Sequence, residues 1–212
     1  RLHIDLRRAE FAVLSHGHYD HGGGMTRFLE CNRTAKIYVN QNAFGVHYNG
    51  AGRYIGLSDE LRSSSRLILT GDEYTIAPGL TLHTCNDRPR AVPIESSGLT
   101  ERVGDFLLPE EFRHEQSLLI EEKGRRILLS GCAHKGVLNL LHWFRPDVFV
   151  GGFHFKQLSP ADPRLRIWGE AMAKYDTVFY TGHCTGAEQY AVLKEILGDR
   201  LNALTTGAAF EI

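Results

Sequence analysis

The chain has 212 residues, enough for one α/β domain with a sizeable core, and its 42% hydrophobic and 23% charged residues are ordinary for a globular protein. A formal net charge of −1 gives no electrostatic case for a nucleic-acid or membrane-surface partner, and no apolar run approaches the roughly 20 residues a membrane span needs. Cys31, Cys85, Cys132 and Cys184 form no CxxC pair, so no disulfide framework is expected and cysteine usage points to a reducing cytoplasm.

In chain order, Phe11-Ala12-Val13-Leu14 reads as a buried strand ending at Ser15, and Gly24 to Glu30 as a helix behind a glycine-rich turn. Lys36 to Val39, Arg66 to Leu69 and Leu80 to His83 read as short strands. Ser117 to Glu121 and Arg126 to Leu129 make a strand pair around Lys123-Gly124, followed by a helix from Gly136 to Phe144. Asp147 to Val150 and Thr177 to Tyr180 are two more buried strands. Ala187 to Leu197 is an amphipathic helix with its apolar face at Tyr190, Val192, Leu193, Ile196 and Leu197. Residues 40–65 and 86–114 are polar and too long for simple connections, and loops of that length are more often functional than idle.

The chain carries 11 histidines. His3, His47 and His142 have no glycine-turn context and read as solvated or hydrogen-bonded side chains. Mid-strand His83 reads as structural. The segment Ser15-His16-Gly17-His18-Tyr19-Asp20-His21-Gly22-Gly23-Gly24 is different, because it puts three imidazoles and a carboxylate within six residues. Imidazole and carboxylate are the donors zinc accepts, and iron or manganese use them too. Alternate residues of an extended backbone project to one side, so His16 and His18 can share one ion while Asp20 and His21 address a second. The glycines permit a tight turn and a helix start beside the ions. Strand, glycine turn with histidine, then helix recurs at Ser15, Gly131 and Gly182. Ligands of open α/β sheets bind at strand carboxyl ends, so these motifs are expected on one rim.

The pattern HxHxDH after an apolar strand resembles the signature of the metallo-β-lactamase superfamily. With Gly131-Cys132-Ala133-His134, Gly151-Gly152-Phe153-His154 and His183-Cys184-Thr185-Gly186, the chain from Phe11 onward is similar to the branch described as metal-dependent hydrolases of β-lactamase superfamily II. That branch also includes proteins described as the archaeal dihydropterin–ribofuranosylaminobenzene-phosphate synthase. The resemblance implies an α/β fold of the αββα sandwich type and two divalent transition-metal ions, zinc first, with iron or manganese as alternatives. Residues 1–212 are expected to form a single domain, incomplete at the amino terminus, because superfamily members carry further strands before HxHxDH.

Carried over residue by residue, the resemblance assigns His16 and His18 to the first ion, with His134 as third ligand, and Asp20, His21 and His183 to the second. The superfamily commonly has a bridging aspartate where this chain has Cys132. Either Cys132 bridges as a thiolate, or it packs as an inert thiol and His134 does the work. His114 and Glu115 are further groups that could approach the metals. Asp20 would orient the nucleophile as well as hold a metal. His154 is open to a substrate or ligand-supporting role, or to a local hydrogen bond. The implied activity is hydrolysis of a small-molecule ester, lactone, amide or phosphoester. A metal-dependent transferase is the rival, with Arg53, Arg88 and Arg90 either binding phosphate or lying on solvated surface.

Overall fold

The computed structural model describes residues 4–211, so His3 lies outside the described residues. In chain order the strands are β1 (Phe11–Val13), β2 (Lys36–Asn40), β3 (His47–Tyr48), β4 (Leu67–Thr70), β5 (Glu73–Ala77), β6 (Leu80–His83), β7 (Thr100–Val103) and β8 (Phe106–Pro109). They continue with β9 (Ser117–Glu122), β10 (Arg125–Leu129), β11 (Val148–Val150), β12 (Val178–Thr181) and β13 (Leu201–Ala203). The helices are α1 (Tyr19–Gly22), α2 (Met25–Cys31), α3 (Val137–Phe144), α4 (Pro163–Ala173) and α5 (Ala187–Leu197). Two compact units emerge: Arg1–Tyr74 with Thr84–Asn86 and Ser96–Gln116, and Thr75–His83 with Asp87–Glu95 and Ser117–Ile212.

In the first unit, β1, β2 and β4 form a parallel sheet in which Ala12 faces Ile37 and Ile37 faces Leu67. Leu14, Met25, Ile37, Val39, Phe44 and Leu57 bury together, with Phe28 and Leu29 of α2 against them. Burying each such side chain contributes about 1.5–3 kcal/mol, which gives short α2 a stability it would lack alone. A second sheet, β3-β7-β8, is antiparallel. Its β7–β8 hairpin turns at Gly104-Asp105, a glycine-first two-residue turn whose Gly104 has φ 59°, and it leaves Val103, Phe106, Leu107 and Leu108 exposed. Both β3 and this hairpin lie in stretches that the sequence reads only as long polar loops. Gln116 ties the unit together. Its backbone N–H donates to Ser15 O (2.8 Å), its Nε2 donates to Leu14 O (2.8 Å), and its Oε1 accepts from Thr70 Oγ1 (2.7 Å).

The second unit is built on a sheet of order β13-β12-β11-β10-β9-β6-β5. The β9–β10 hairpin pairs antiparallel, and β10, β11, β12 and β13 run parallel. Its core holds Leu128, Leu141, Phe149, Phe153, Phe179 and Leu193. Helix α4, which the periodicity does not reveal, starts where Asp162 accepts from Arg164 N (2.9 Å) and Pro163 takes the first helical position. It packs on α5 through Gly169, where a Cβ would come within 2.8 Å of Ile196 Cδ1. The polar segment 87–95 is held on α3 by Asn139. That side chain accepts from Ala91 N and Val92 N (2.8 and 2.9 Å) and donates to Val92 O and Lys135 O (2.9 and 2.6 Å).

Because β10, β11 and β12 are parallel neighbours, the turns following Leu129, Val150 and Thr181 share one edge of this sheet. That is the common rim expected for the Gly131 and Gly182 motifs. The Ser15 turn follows β1 in the other sheet.

Candidate metal centre

In the first unit the chain leaves β1 and turns at Ser15-His16-Gly17. Gly17 is required there by close approach, since a Cβ would sit 2.2 Å from Ala43 O. His18 precedes α1 in an extended conformation, and Asp20 enters the first turn of that helix. His16 is fully buried and His18 nearly so, while His21 is half-buried and Asp20 exposed. The His16 ring lies 4.8 Å from that of His18 and 4.0 Å from that of His21, centroid to centroid, and His21 Nε2 is 3.6 Å from Asp20 Oδ2. The motif's three imidazoles and its carboxylate thus form one group, a donor set that fits a borderline divalent ion.

Behind His18 stand Glu110 and His47, which the sequence does not announce, and His114, one of the two further groups named from the sequence. Glu110 follows β8 and is 2% exposed, and His47 of β3 and His114 are each 1% exposed. His18 Nε2 lies 3.2 and 3.3 Å from the two Glu110 carboxylate oxygens, and His114 Nε2 lies 2.5 Å from Oε1. His47 Nδ1 is 3.0 Å from the same oxygen, off the line of a good hydrogen bond. Gly17 N donates to His114 Nδ1 (2.8 Å). Burial alone would raise the Glu110 pKa, but the hydrogen bonds from His114 and His18 and the adjacent His47 outweigh it and hold the carboxyl well below the usual carboxylate range. Burial pushes His114 down to about 4, only partly opposed by its bond to Glu110, so the ring is neutral at pH 7. The sheet β3-β7-β8 creates this arrangement, bringing His47 and Glu110 together from positions far apart in sequence.

In the second unit the three motif loops are bonded to one another. Gly152 N donates to Gly131 O (2.8 Å), Gly151 N to Tyr180 O (3.0 Å), and Phe153 N to Thr185 Oγ1 (3.0 Å). Ala133, His154 and His183 have φ values of 49°, 57° and 51°, left-handed conformations that cost non-glycine residues about 1–3 kcal/mol and cluster at functional loops. The His134 and His154 rings lie 4.2 Å apart, His134 being buried and His154 half-buried. His183 is exposed and opens a single helical turn, His183–Thr185. Cys132 is buried, and Cys184 packs against the loops with its Sγ 3.7 Å from Cys132 O, as expected of a packing thiol.

Elsewhere, His83 packs its ring against Phe144 (5.3 Å), and His142 is exposed on α3. Glu115 is buried beside Gln116. Arg53, Arg88 and Arg90 are all exposed, Arg53 lying over the Tyr19 ring and Arg88 over that of Phe144.

No protein-family model matches the chain. Over 205 residues it is 25% identical to an uncharacterised protein of Methanocaldococcus jannaschii, covering 92% of this chain and 77% of that one. It is 23% identical over 227 residues to the same organism's 7,8-dihydropterin-6-methyl-4-(beta-D-ribofuranosyl)-aminobenzene-5'-phosphate synthase, covering 97% of this chain and 76% of the synthase. Among solved structures, Tm1679, described as a metal-dependent hydrolase of the β-lactamase superfamily, superimposes with a TM-score of 0.74 at 23% identity, over 94% of this chain and 78% of its own. An isothiocyanate hydrolase from Delia radicum gut bacteria gives a TM-score of 0.54 at 15% identity, over 97% and 78%. Zinc-bound PqqB from Methylobacterium extorquens gives 0.53 at 12% identity, over 95% and 73%. The mixed α/β architecture with histidine loops at the strand ends is the metallo-β-lactamase fold.

Proposed function

We propose that the protein is a metal-dependent hydrolase acting on a small-molecule ester, lactone, amide or phosphoester. The observation that carries this reading is the mutual packing of the His16, His18 and His21 rings, with Asp20 beside them, at the carboxyl end of β1. His16, His18 and His134 would hold one divalent transition-metal ion, and Asp20, His21 and His183 a second, with zinc expected first and iron or manganese as alternatives. Such ions supply Lewis acidity toward water and toward a carbonyl or phosphoryl oxygen of the substrate. Asp20, on the first turn of α1, orients the attacking water as well as serving as a ligand. His154, half-buried against His134, faces the substrate or steadies His134. The partners are small molecules, an anionic group being one option, and the working compartment is the cytoplasm.

The test is elemental analysis of the purified chain after reconstitution with zinc, iron or manganese, alongside turnover on a panel of esters, lactones and phosphodiesters. About two ions per chain are expected, and finding none under any of these conditions would refute the reading. A paired comparison refines it: His134→Ala should lose metal and turnover, while Cys132→Ser keeps both. The reverse pattern would make Cys132 the ligand. A second reading, a transferase, is favoured by the similarity to the pterin synthase. Condensation with a dihydropterin pyrophosphate, in the absence of ester or lactone hydrolysis, would select it.

A further inference from the structure

Glu110 takes no part in the proposed ligand set, yet it is the hub of a deeply buried polar group in the first unit. Three histidine nitrogens surround one carboxylate: His18 Nε2 at 3.2 Å, His47 Nδ1 at 3.0 Å and His114 Nε2 at 2.5 Å. The ligand atoms of these four residues all lie within 4.8 Å of one another, a spacing that would suit a metal ion. The backbone argues otherwise. Gly17 N–H points at His114 Nδ1 from 2.8 Å, so that nitrogen must carry the lone pair and the ring proton must be on Nε2. The nitrogen facing Glu110 is therefore a donor and has no lone pair for a metal. The group is a hydrogen-bond hub in which an anionic acceptor collects N–H donors.

We propose that Glu110 is a positioning residue that sets the tautomer and ring orientation of His18, so that Nε2 carries the proton and Nδ1 the lone pair. This rests on the assignment of His18 as a metal ligand. A neutral imidazole has one donor and one acceptor nitrogen, and whichever nitrogen bonds a carboxylate becomes the donor. Glu110 faces His18 Nε2 with both oxygens, leaving the lone pair on Nδ1 for the ligand role. Glu110 is itself held by His114, and His114 by Gly17, the residue between His16 and His18. The loop closes on the motif it supports. A carboxylate bonded behind a ligating histidine fixes ring orientation and raises ligand basicity, and its loss typically costs 10–100-fold in metal affinity. The signal available in the sequence is Glu110-x-x-x-His114, a carboxylate and an imidazole four residues apart. It has no apolar periodicity around it and only tertiary pairing delivers it to His18.

The wild-type chain without metal is the first sample. Long-range nitrogen–proton NMR of its histidines should show His18 and His114 both protonated on Nε2. Full-length Glu110→Ala and Glu110→Gln, checked for folding by circular dichroism, are then titrated with Zn²⁺ against a chelator. Zinc affinity is expected to fall about 10–100-fold in Glu110→Ala and by less in Glu110→Gln, which keeps one acceptor oxygen. His18 should lose its single tautomer in Glu110→Ala. Should that variant fail to fold, the wild-type spectrum decides alone. His18 protonated on Nδ1, unchanged zinc affinity in a folded Glu110→Ala, or an additional zinc ion lost with Glu110 would each overturn the proposal. The tautomer is read without metal, so a wild type that takes up no Zn²⁺ but shows His18 protonated on Nε2 refutes the metal centre and leaves the role of Glu110 in setting the ring intact.

Discussion

Asn139 offers a sharp test of how the second unit holds its polar segment 87–95. The side chain is fully buried on α3 and makes four hydrogen bonds, two accepted from Ala91 N and Val92 N and two donated to Val92 O and Lys135 O. In Asn139→Ala all four are lost. Ala91 is exposed, so water replaces that bond at little cost, whereas the groups of half-buried Val92 and buried Lys135 are served less well. At roughly 1 kcal/mol for each of those three bonds, the variant should lose about 3 kcal/mol. For a chain of this size that corresponds to a Tm lower by about 6–12 °C. Trp143 Nε1, donating to Pro89 O (2.6 Å), and the Arg164–Glu95 ion pair remain as tethers, so release should be local as well as global. Hydrogen exchange should accelerate first at Ala91 and Val92. A Tm within 2 °C of wild type, with unchanged exchange at those amides, would refute the idea that Asn139 holds the segment.

Gly17→Ala should destabilise by about 1–3 kcal/mol or more, because the new Cβ would meet the carbonyl of Ala43 rather than a flexible side chain. Gly71→Ala, where a Cβ meets nothing within 4 Å, is the control and should be neutral or stabilising in the same thermal melts. Glu101, half-buried on β7, has its pKa raised by burial, with His47 and a backbone hydrogen bond from Glu111 opposing the rise and the charge of Glu110 adding to it. The unfolded chain therefore ionises more readily, so wild-type stability falls as pH rises from the unfolded value of about 4.5 through the folded one. Glu101→Gln should remove that loss and be the more stable protein at pH 7 but not at pH 4. A variant less stable at pH 7 in denaturant titrations would show that its attraction to His47 dominates.

Much of the architecture was legible because it is written in local pattern. The β9–β10 hairpin follows from two apolar runs around Lys123-Gly124, and α5 from its apolar face, both with bounds close to those expected. Helix α4 escaped because Gly169 and the scattered charges of Arg164, Arg166 and Glu170 blur its periodicity. Its start signal, Asp162-Pro163, was nonetheless present in the sequence. The β7–β8 hairpin was hidden in a polar stretch, although Gly104-Asp105 between Thr100-Glu101-Arg102-Val103 and Phe106-Leu107-Leu108 marks the turn. At the candidate site, the His16 to His21 motif and the three glycine loops were readable because donor density within a few residues is unusual. His47 and Glu110 were not, because their role exists only through pairing across sheets. The spacing Glu110-x-x-x-His114 is present in the sequence, but neither His47 nor Glu110 carries a local mark of burial.

The bonds that secure the histidine motif reach far along the chain: Glu110 is 92 residues from His18, His114 is 97 from Gly17, and Gln116 is 102 from Leu14. At a synthesis rate of about 5–20 residues per second, those partners leave the ribosome roughly 5–20 s after the motif does. Through that interval the motif's imidazoles lie on a chain that cannot yet close around them, and loop closure over such separations is slow in its own right. The segment richest in imidazoles is thus made well before the residues that secure it. An ion bound during synthesis, as the proposed function would allow, would meet a flexible cluster of donors, and the arrival of residues 110–116 turns that cluster into a fixed one.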